Sequence, residues 1–385
     1  MRKIGLMGGT FNPIHNAHLQ LAKTAMEEYG LKEILFMTSG NPPHKREAVV
    51  LDKTIRHRMV QLAVAPYSRF VPCDDEVRRE AYSYTADTLQ RLQKARPDAS
   101  IYFIIGADSL HQFKDWYMPD KIAKLCTLLV FPRTGYSLQR DMEAARVQFG
   151  AAVQELHAAQ MDVSSTMLRD WIAEGRNISA YVPEVVYAFI KNYKLYQRRE
   201  GTMEEQLAGM LSPKRFRHSL GVRDTAVELA RRFGADEERA EIAGLLHDCA
   251  KNLPVEEQLA MCRDLGVELD RWELENPGAL AHAKLGAELV KCLFDVSDEA
   301  VSSAIRWHTL GRAGMSDLEK IIFAADMVEP NRKYPEAEEL RKAVYADLDR
   351  GVLACVDATI VWNEQKGAAV HPNAYALRDW LKNKI

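Results

Sequence analysis

Two groups of residues in this chain have the types and spacing to do chemistry. The first is Gly8-Gly9-Thr10-Phe11-Asn12-Pro13-Ile14-His15-Asn16-Ala17-His18. Paired glycines let a backbone approach a phosphate closely, and the free N–H groups at a helix start point toward an anion. His15 and His18 lie three apart, so both can face one polyphosphate. A Gly-Gly turn alone is a common strand exit; joined to Thr-Phe, a proline and two spaced histidines, it reads as a nucleotide site. Two further segments add anion-binding groups. Gly40-Asn41-Pro42-Pro43-His44-Lys45 is a stiff loop ending in a cation, and Ser164-Ser165-Thr166 opens a helix that carries Arg169. A serine there caps the helix, and the N–H groups behind it make a second anion site.

The second group lies in the other half of the chain. His218, His247-Asp248, His282, His308 and Asp326 each sit in or beside an apolar helical stretch. A charged or half-charged side chain is costly there unless it is paired or ligates a metal. One such histidine is ordinarily a hydrogen-bonded core residue. Four of them, with an adjacent His-Asp and a further buried Asp, point to a metal centre.

These residues need elements to hold them. Over residues 1–196, short apolar runs at 3–7, 34–38, 70–73, 101–105, 127–131 and 153–156 alternate with helical patterns, among them 17–29, 53–64, 85–95 and 138–149. That alternation predicts an α/β, doubly wound parallel sheet with helices on both faces. Such sheets bind ligands beyond the carboxyl ends of their strands, where the Gly8 turn falls. The stretch 197–202 is polar and carries a glycine, so it reads as a linker. Over residues 203–385 the strand runs vanish and helical periodicity dominates, as at 220–233, 237–246 and 318–327. This half reads as all-α.

Composition bounds the rest. A length of 385 residues suits two domains. A net charge of −3 gives no electrostatic case for nucleic acid or a membrane surface, and no apolar run approaches a bilayer-spanning length. The six cysteines follow no CxxC spacing and read as buried thiols of a reducing compartment. With a start that runs straight into a strand, these features suggest a cytoplasmic protein. The oligomeric state, a homo-oligomer included, is left open.

Over residues 1–196 the chain resembles the bacterial nicotinate mononucleotide adenylyltransferases of the nucleotidylyltransferase superfamily. The Gly-Gly-Thr-Phe-x-Pro-x-His opening, the Pro-Pro-His-Lys loop, Ile105-Gly106-Ala107-Asp108-Ser109 followed by Trp116, and Ser-Ser-Thr-x-x-Arg match in order. Ala17 stands where the family usually has glycine. The resemblance implies transfer of AMP from ATP to nicotinate mononucleotide, with Mg²⁺ bridging the phosphates. It implies that His15, His18, Lys45 and Arg169 act on the triphosphate. Gly8, Gly9, Thr10, Phe11, His44, Thr85, Gly106, Asp108, Trp116, Arg133, Ser165 and Thr166 would bind substrate, with Trp116 stacking on the pyridine ring and Thr85 donating to the nicotinate carboxylate. Another phosphorylated acceptor, such as phosphopantetheine, is the competing assignment.

Residues 203–385 resemble the HD-domain metal-dependent phosphohydrolases. His218, His247, Asp248 and Asp326 match the four-residue ligand set, and His282 and His308 match the extra pair of two-metal members. Imidazoles with bridging carboxylates suit two first-row ions such as iron or manganese. The segments His247-Asp248-Cys249-Ala250-Lys251, Ile305-Arg306-Trp307-His308-Thr309-x-Gly311-Arg312 and Ala325-Asp326-Met327-Val328-Glu329-Pro330-Asn331-Arg332 are similar to the symmetrical diadenosine tetraphosphate hydrolases. Lys251, Arg306, Arg312 and Arg332 would then meet the polyphosphate, and Asp248 would serve catalysis as well as metal binding. A nucleotide-sensing module without turnover is the alternative.

Overall fold

The computed structural model describes residues 2–40, 50–79, 83–158, 162–197 and 201–385. The chain divides into two compact units, Met1–Arg198 and Arg199–Ile385. The segment carrying His44 and Lys45 lies outside the described residues.

In the first unit the strands are β1 Arg2–Gly9, β2 Glu33–Thr38, β3 Phe70–Cys73, β4 Ala99–Gly106, β5 Thr127–Phe131 and β6 Ala152–Glu155. The helices are α1 Asn16–Tyr29, α2 Lys53–Val64, α3 Thr85–Ala95, α4 Ala107–His111, α5 Pro119–Leu125, α6 Leu138–Phe149, α7 Ser165–Ala173 and α8 Glu184–Asn192. The sheet runs β3-β2-β1-β4-β5-β6, and every described pairing is parallel. β2 is buried at every position, as expected of a strand covered on both faces. Strand order reverses between β1 and β4, where Met7 pairs with Ile104. A crevice must open at the carboxyl ends of these two strands, because their connections leave toward opposite edges. β1 ends there on Gly8 and Gly9, and β4 on Gly106.

The second unit is helical throughout its described residues: α9 Met203–Met210, α10 Pro213–Phe233, α11 Glu237–Leu246, α12 Val255–Leu265, α13 Arg271–Glu275, α14 Pro277–Leu293, α15 Glu299–Trp307, α16 Asp317–Val328, α17 Ala337–Ala346, α18 Leu348–Gln365 and α19 Pro372–Lys384. The parallel sheet and the all-α half agree with the sequence expectation. One helix is longer than its periodicity suggested. Apolar spacing predicts a helix over 220–233, whereas α10 begins at Pro213. Ser212 caps it, accepting from the Arg215 N–H at 3.4 Å, and Pro213 fills the first helical position. Lys214, Arg215 and Arg217 make this first turn polar, so the cap rather than an apolar stripe marks the start. His218 therefore projects from a helix interior. The core around it includes Val222, Ala226, Leu246, Ile305 and Ile321, all fully buried.

No helix among the described residues is long and apolar enough to cross a membrane. All six cysteines are free thiols; five are buried and Cys73 is half-buried.

Candidate functional sites

The first site forms where β1 enters α1. Phe11 adopts φ 48°, and its ring is buried against Phe36 and edge-on to His18. His15 caps α1 with extended backbone. Its N–H donates to His18 Nδ1 at 3.2 Å, and the two rings lie 3.8 Å apart. That bond makes His18 Nδ1 an acceptor, which leaves Nε2 to carry the proton in the neutral ring. Burial, aided by the Arg133 charge, lowers His15 to about 4. Burial, the His15 ring and Arg133 push His18 well below its usual value. Both rings are thus neutral at pH 7, and each offers a polyphosphate one N–H rather than a charge.

α7 brings the second anion-binding segment to the same turn. Ser164 is its N-cap and accepts from the Met167 N–H at 3.2 Å. Ser165 Oγ donates to Pro13 O at 2.9 Å, and Arg169 Nη1 donates to Asn12 O at 2.9 Å. Arg169 Nη2 donates to Thr166 Oγ1 at 3.3 Å. The capped helix and its arginine are therefore fastened to the signature loop, across sequence separations of 152 and 157. Beside this turn, a cavity of about 310 Å³ is lined by Gly8, Gly9, Thr85, Phe103, Trp116 and Tyr117, among others. At the end of β4, a Cβ on Gly106 would displace Asp108 Oδ1 and lie 3.1 Å from the Phe131 ring. Arg133 sits over Phe131 at 5.3 Å, with Nε 3.4 Å from Asp108 Oδ1.

In the second unit, five helices converge on a cluster of imidazoles and carboxylates. His218 comes from α10, His247 and Asp248 from the end of α11, His282 from α14, His308 from the end of α15 and Asp326 from α16. Three overlapping triads have donor atoms mutually within 4.8 Å: His218–His247–Asp248, His247–His308–Asp326 and Asp248–His282–His308. Asp248 joins two halves. Its Oδ2 lies 3.4 Å from His247 Nε2, while its Oδ1 lies 3.3 Å from His282 Nε2 and 3.7 Å from His308 Nε2.

The surroundings fit a metal. His247 Nδ1 lies 2.7 Å from Gly244 O and His308 Nδ1 lies 2.6 Å from Ile305 O. Both histidines are at helix ends, where the last carbonyls lack intrahelical partners and can accept from a ring three residues on. His218 Nδ1 is 3.1 Å from the buried Glu329 carboxylate. With Nδ1 donating outward, each ring turns its Nε2 lone pair to the centre. The Nε2 atoms of His218 and His247 are buried and make no aligned hydrogen bond, although Asp326 Oδ1 is 2.9 Å from the former. His282 differs, because Lys251 Nζ lies 3.2 Å from its Nδ1. Burial opposes ionisation of Asp248, yet the surrounding histidines hold it well below the usual carboxylate range. Burial likewise opposes ionisation of Asp326, but His218 and Arg332 keep it anionic. Burial, against Asp248, lowers His282 to about 4. Two anionic carboxylates bordered by inward-facing imidazole nitrogens form a donor set for borderline first-row cations.

With both sites described, comparison with known proteins places the chain. A Cytidylyltransferase-like family matches residues 6–170, and an HD domain family matches residues 215–331. The curated probable nicotinate-nucleotide adenylyltransferase of Clostridium botulinum (strain Kyoto / Type A2) is 36% identical over 196 residues, covering 50% of this chain and 98% of that protein. The chain belongs to the nicotinate-nucleotide adenylyltransferase family. The probable nicotinate-nucleotide adenylyltransferase of Synechococcus sp. (strain JA-3-3Ab) is 41% identical over 199 residues, covering 51% of this chain and 95% of that one. These relatives match half of the chain, and the HD domain family matches within the remainder, over residues 215–331. A solved structure described as a predicted HD superfamily hydrolase involved in NAD metabolism, from Clostridium acetobutylicum, is 43% identical. It covers 47% of this chain and 96% of its own, with a TM-score of 0.46.

Placed against the sequence expectations, the adenylyltransferase half gathers His15, His18, Ser165, Thr166 and Arg169 around one turn, with Thr85 and Trp116 in the neighbouring cavity. In the HD half all six expected metal ligands converge. Of the four expected polyphosphate cations, Arg332 and Lys251 reach this cluster, whereas Arg306 and Arg312 pair with carboxylates outside it. Arg332 pairs with Asp326, and Lys251 is held by Ala279 O at 3.1 Å beside His282. Arg306 instead pairs with Glu288 at 2.6 Å, and Arg312 with the buried Glu319 at 2.9 Å. Arg306 and Arg312 each take a carboxylate brought up by the fold, and sequence spacing does not reveal that partner. Three groups escaped the sequence reading: Arg215, whose Nη1 is 2.8 Å from Asp248 Oδ2; Glu329; and Thr309, whose Oγ1 is 3.1 Å from His308 Nε2. Arg215 carried a signal in lying one helical turn before His218, while Thr309 and Glu329 stood inside the hydrolase-like segments without an assigned role.

Proposed function

We propose that the chain is a bifunctional enzyme. Its first unit transfers AMP from ATP to nicotinate mononucleotide, giving deamido-NAD and pyrophosphate. Its second unit hydrolyses diadenosine tetraphosphate to two ADP. For the first activity, the carrying observation is the adjacency of the His15–His18–Arg169 turn to the cavity lined by Thr85 and Trp116. An oxygen of the mononucleotide phosphate attacks the α-phosphorus of ATP in line; a new P–O bond forms and the bond to the β-phosphate breaks, releasing pyrophosphate. The residues position both substrates and stabilise charge on the leaving group. His15 and His18 donate neutral N–H groups, Arg169 supplies the cation, and the Ser165–Thr166 N–H groups face the same anion. Mg²⁺ is the ion assigned to the phosphates.

For the second activity, the carrying observation is the pair of donor sets joined by Asp248. His218, His247, Asp248, His282, His308 and Asp326 would hold two ions, iron or manganese, which when bound activate water and clamp a phosphate. Arg215 holds Asp248 in place, and Arg332 does the same for Asp326. A cavity of about 390 Å³ begins at Thr309 and is walled by Trp272, Asn276, Phe323, Asn363 and His371. Its aromatic rings and amides suit a nucleobase, which supports a nucleotide substrate.

The test uses the full chain. With ATP and nicotinate mononucleotide it should form deamido-NAD, and Arg169→Ala should lose that turnover. With diadenosine tetraphosphate and manganese it should form two ADP, and Asp248→Ala should not. Absence of either product from metal-replete protein refutes the corresponding half.

A further inference from the structure

Beneath the nucleotide turn lies a buried guanidinium that neither proposed reaction uses. Arg56, on α2, is 2% exposed. Its Nη1 donates to Thr10 O at 2.6 Å, its Nη2 to Gly40 O at 3.1 Å and its Nε to Leu51 O at 2.8 Å. These carbonyls belong to three separate segments: the signature turn, the end of β2 and the approach to α2. Among the described residues Arg56 makes no ion pair. Asp52 and Glu76 act on its charge from a distance, but a guanidinium removed from water with no carboxylate in contact loses several kcal/mol of solvation, so its donors must be well used. Only arginine offers a rigid fork able to meet three carbonyls at once; a lysine ammonium is one compact point.

A second contact joins the signature turn to the approach to α2. The Leu51 N–H donates to Asn12 Oδ1 at 3.4 Å. Asn12 O in turn accepts from Arg169, and Asn12 Oδ1 also accepts from Tyr196 Oη at 3.0 Å. The turn leading to His15 and His18 is therefore held at Thr10 by Arg56 and at Asn12 by Leu51, Arg169 and Tyr196. Burial lowers Arg56 to about 10, so it remains charged at pH 7.

We propose that Arg56 is a positioning residue of the adenylyl-transfer site: it fixes the Thr10–Pro13 turn, and through it the two histidines, without touching substrate. The proposal rests on the function assigned to the first unit. A turn displaced by about 1 Å costs on the order of 100-fold in rate.

The experiment compares full-length wild type, Arg56→Met and Arg56→Lys. It measures kcat, KM for each substrate, calorimetric affinity for a non-hydrolysable ATP analogue, and thermal unfolding. Arg56→Met should lower kcat about 100-fold. KM for nicotinate mononucleotide should change little, because its cavity is lined by other residues. Arg56→Lys should restore only part of kcat, since one ammonium cannot span three carbonyls. Wild-type kcat and analogue affinity in Arg56→Met overturn the proposal. So does loss of the folded transition in both variants, which would make the role structural only. If wild type neither turns over nor binds the analogue, the adenylyltransferase assignment itself fails and Arg56 falls with it.

Discussion

Glu329 offers a sharp test of the proposed metal centre, because it stands behind the proposed ligand His218. Its carboxylate is 1% exposed. Oε1 is 3.1 Å from His218 Nδ1, and Oε2 accepts from the Asn331 N–H at 2.7 Å and from Asn331 Nδ2 at 2.9 Å. A carboxylate behind a ligating imidazole fixes its tautomer and raises its basicity, and loss of such a partner typically costs about 10–100-fold in metal affinity. That is about 1.4–2.8 kcal/mol. Glu329→Gln keeps shape but removes charge, so it should weaken manganese binding by that amount. The assay is competition against a chelating dye, with metal content measured after dialysis. Gly221 provides an independent route to the same defect. A Cβ there would collide with Glu329 Oε2 and lie 3.2 Å from Asn331 Nδ2. Gly221→Ala should therefore loosen metal although the carboxylate is intact and alanine favours the helix by about 1 kcal/mol. Affinities within about threefold of wild type in both variants, well short of the effect typical of such partners, refute the argument.

Three further outcomes follow from the geometry. Because the two oxygens of Asp248 face different halves of the cluster, Asp248→Ala should abolish binding of both ions, whereas His218→Ala and His282→Ala should each remove one; metal stoichiometry by elemental analysis decides this. Trp116→Ala should raise KM for nicotinate mononucleotide about 5–10-fold, the worth of an aromatic stacking contact, while KM for ATP holds steady in the same kinetic series. His15 is lowered to about 4, so between pH 6.5 and 4 the unfolded chain binds a proton that the folded one refuses. Stability of the first unit should fall by about 2–3 kcal/mol from pH 7 to 4.5, and His15→Gln should flatten that slope in urea unfolding.

Much of the architecture was legible because buried strands and amphipathic helices write their period into the chain. β3 and β5 fall on the apolar runs 70–73 and 127–131, and α2, α3, α6 and α11 on their helical patterns. α10 was read seven residues short, since a capped polar first turn carries no apolar stripe. In the same way, the types and spacings of the chemical residues picked out side chains that the fold gathers in each unit. A strand-to-helix glycine turn with two histidines, and imidazoles with carboxylates in apolar helices, are uncommon enough to be read without a fold.

Partners and protonation states belong to tertiary structure. The sequence marks His15 and His18 as donors to one polyphosphate; burial and the Arg133 charge make them neutral ones. Arg306 and Arg312 looked like polyphosphate ligands, yet Glu288 and Glu319 lie closer to hand. Arg215, Glu329 and Arg56 acquire their roles from contacts that span 33, 111 and 46 residues of chain. The sequence by itself determined which chemistries the chain carries, because these depend on residue type and local period. Only the folded chain decided which charges survive burial and which donor meets which acceptor, because desolvation and hydrogen-bond pairing depend on neighbours that the linear order does not specify.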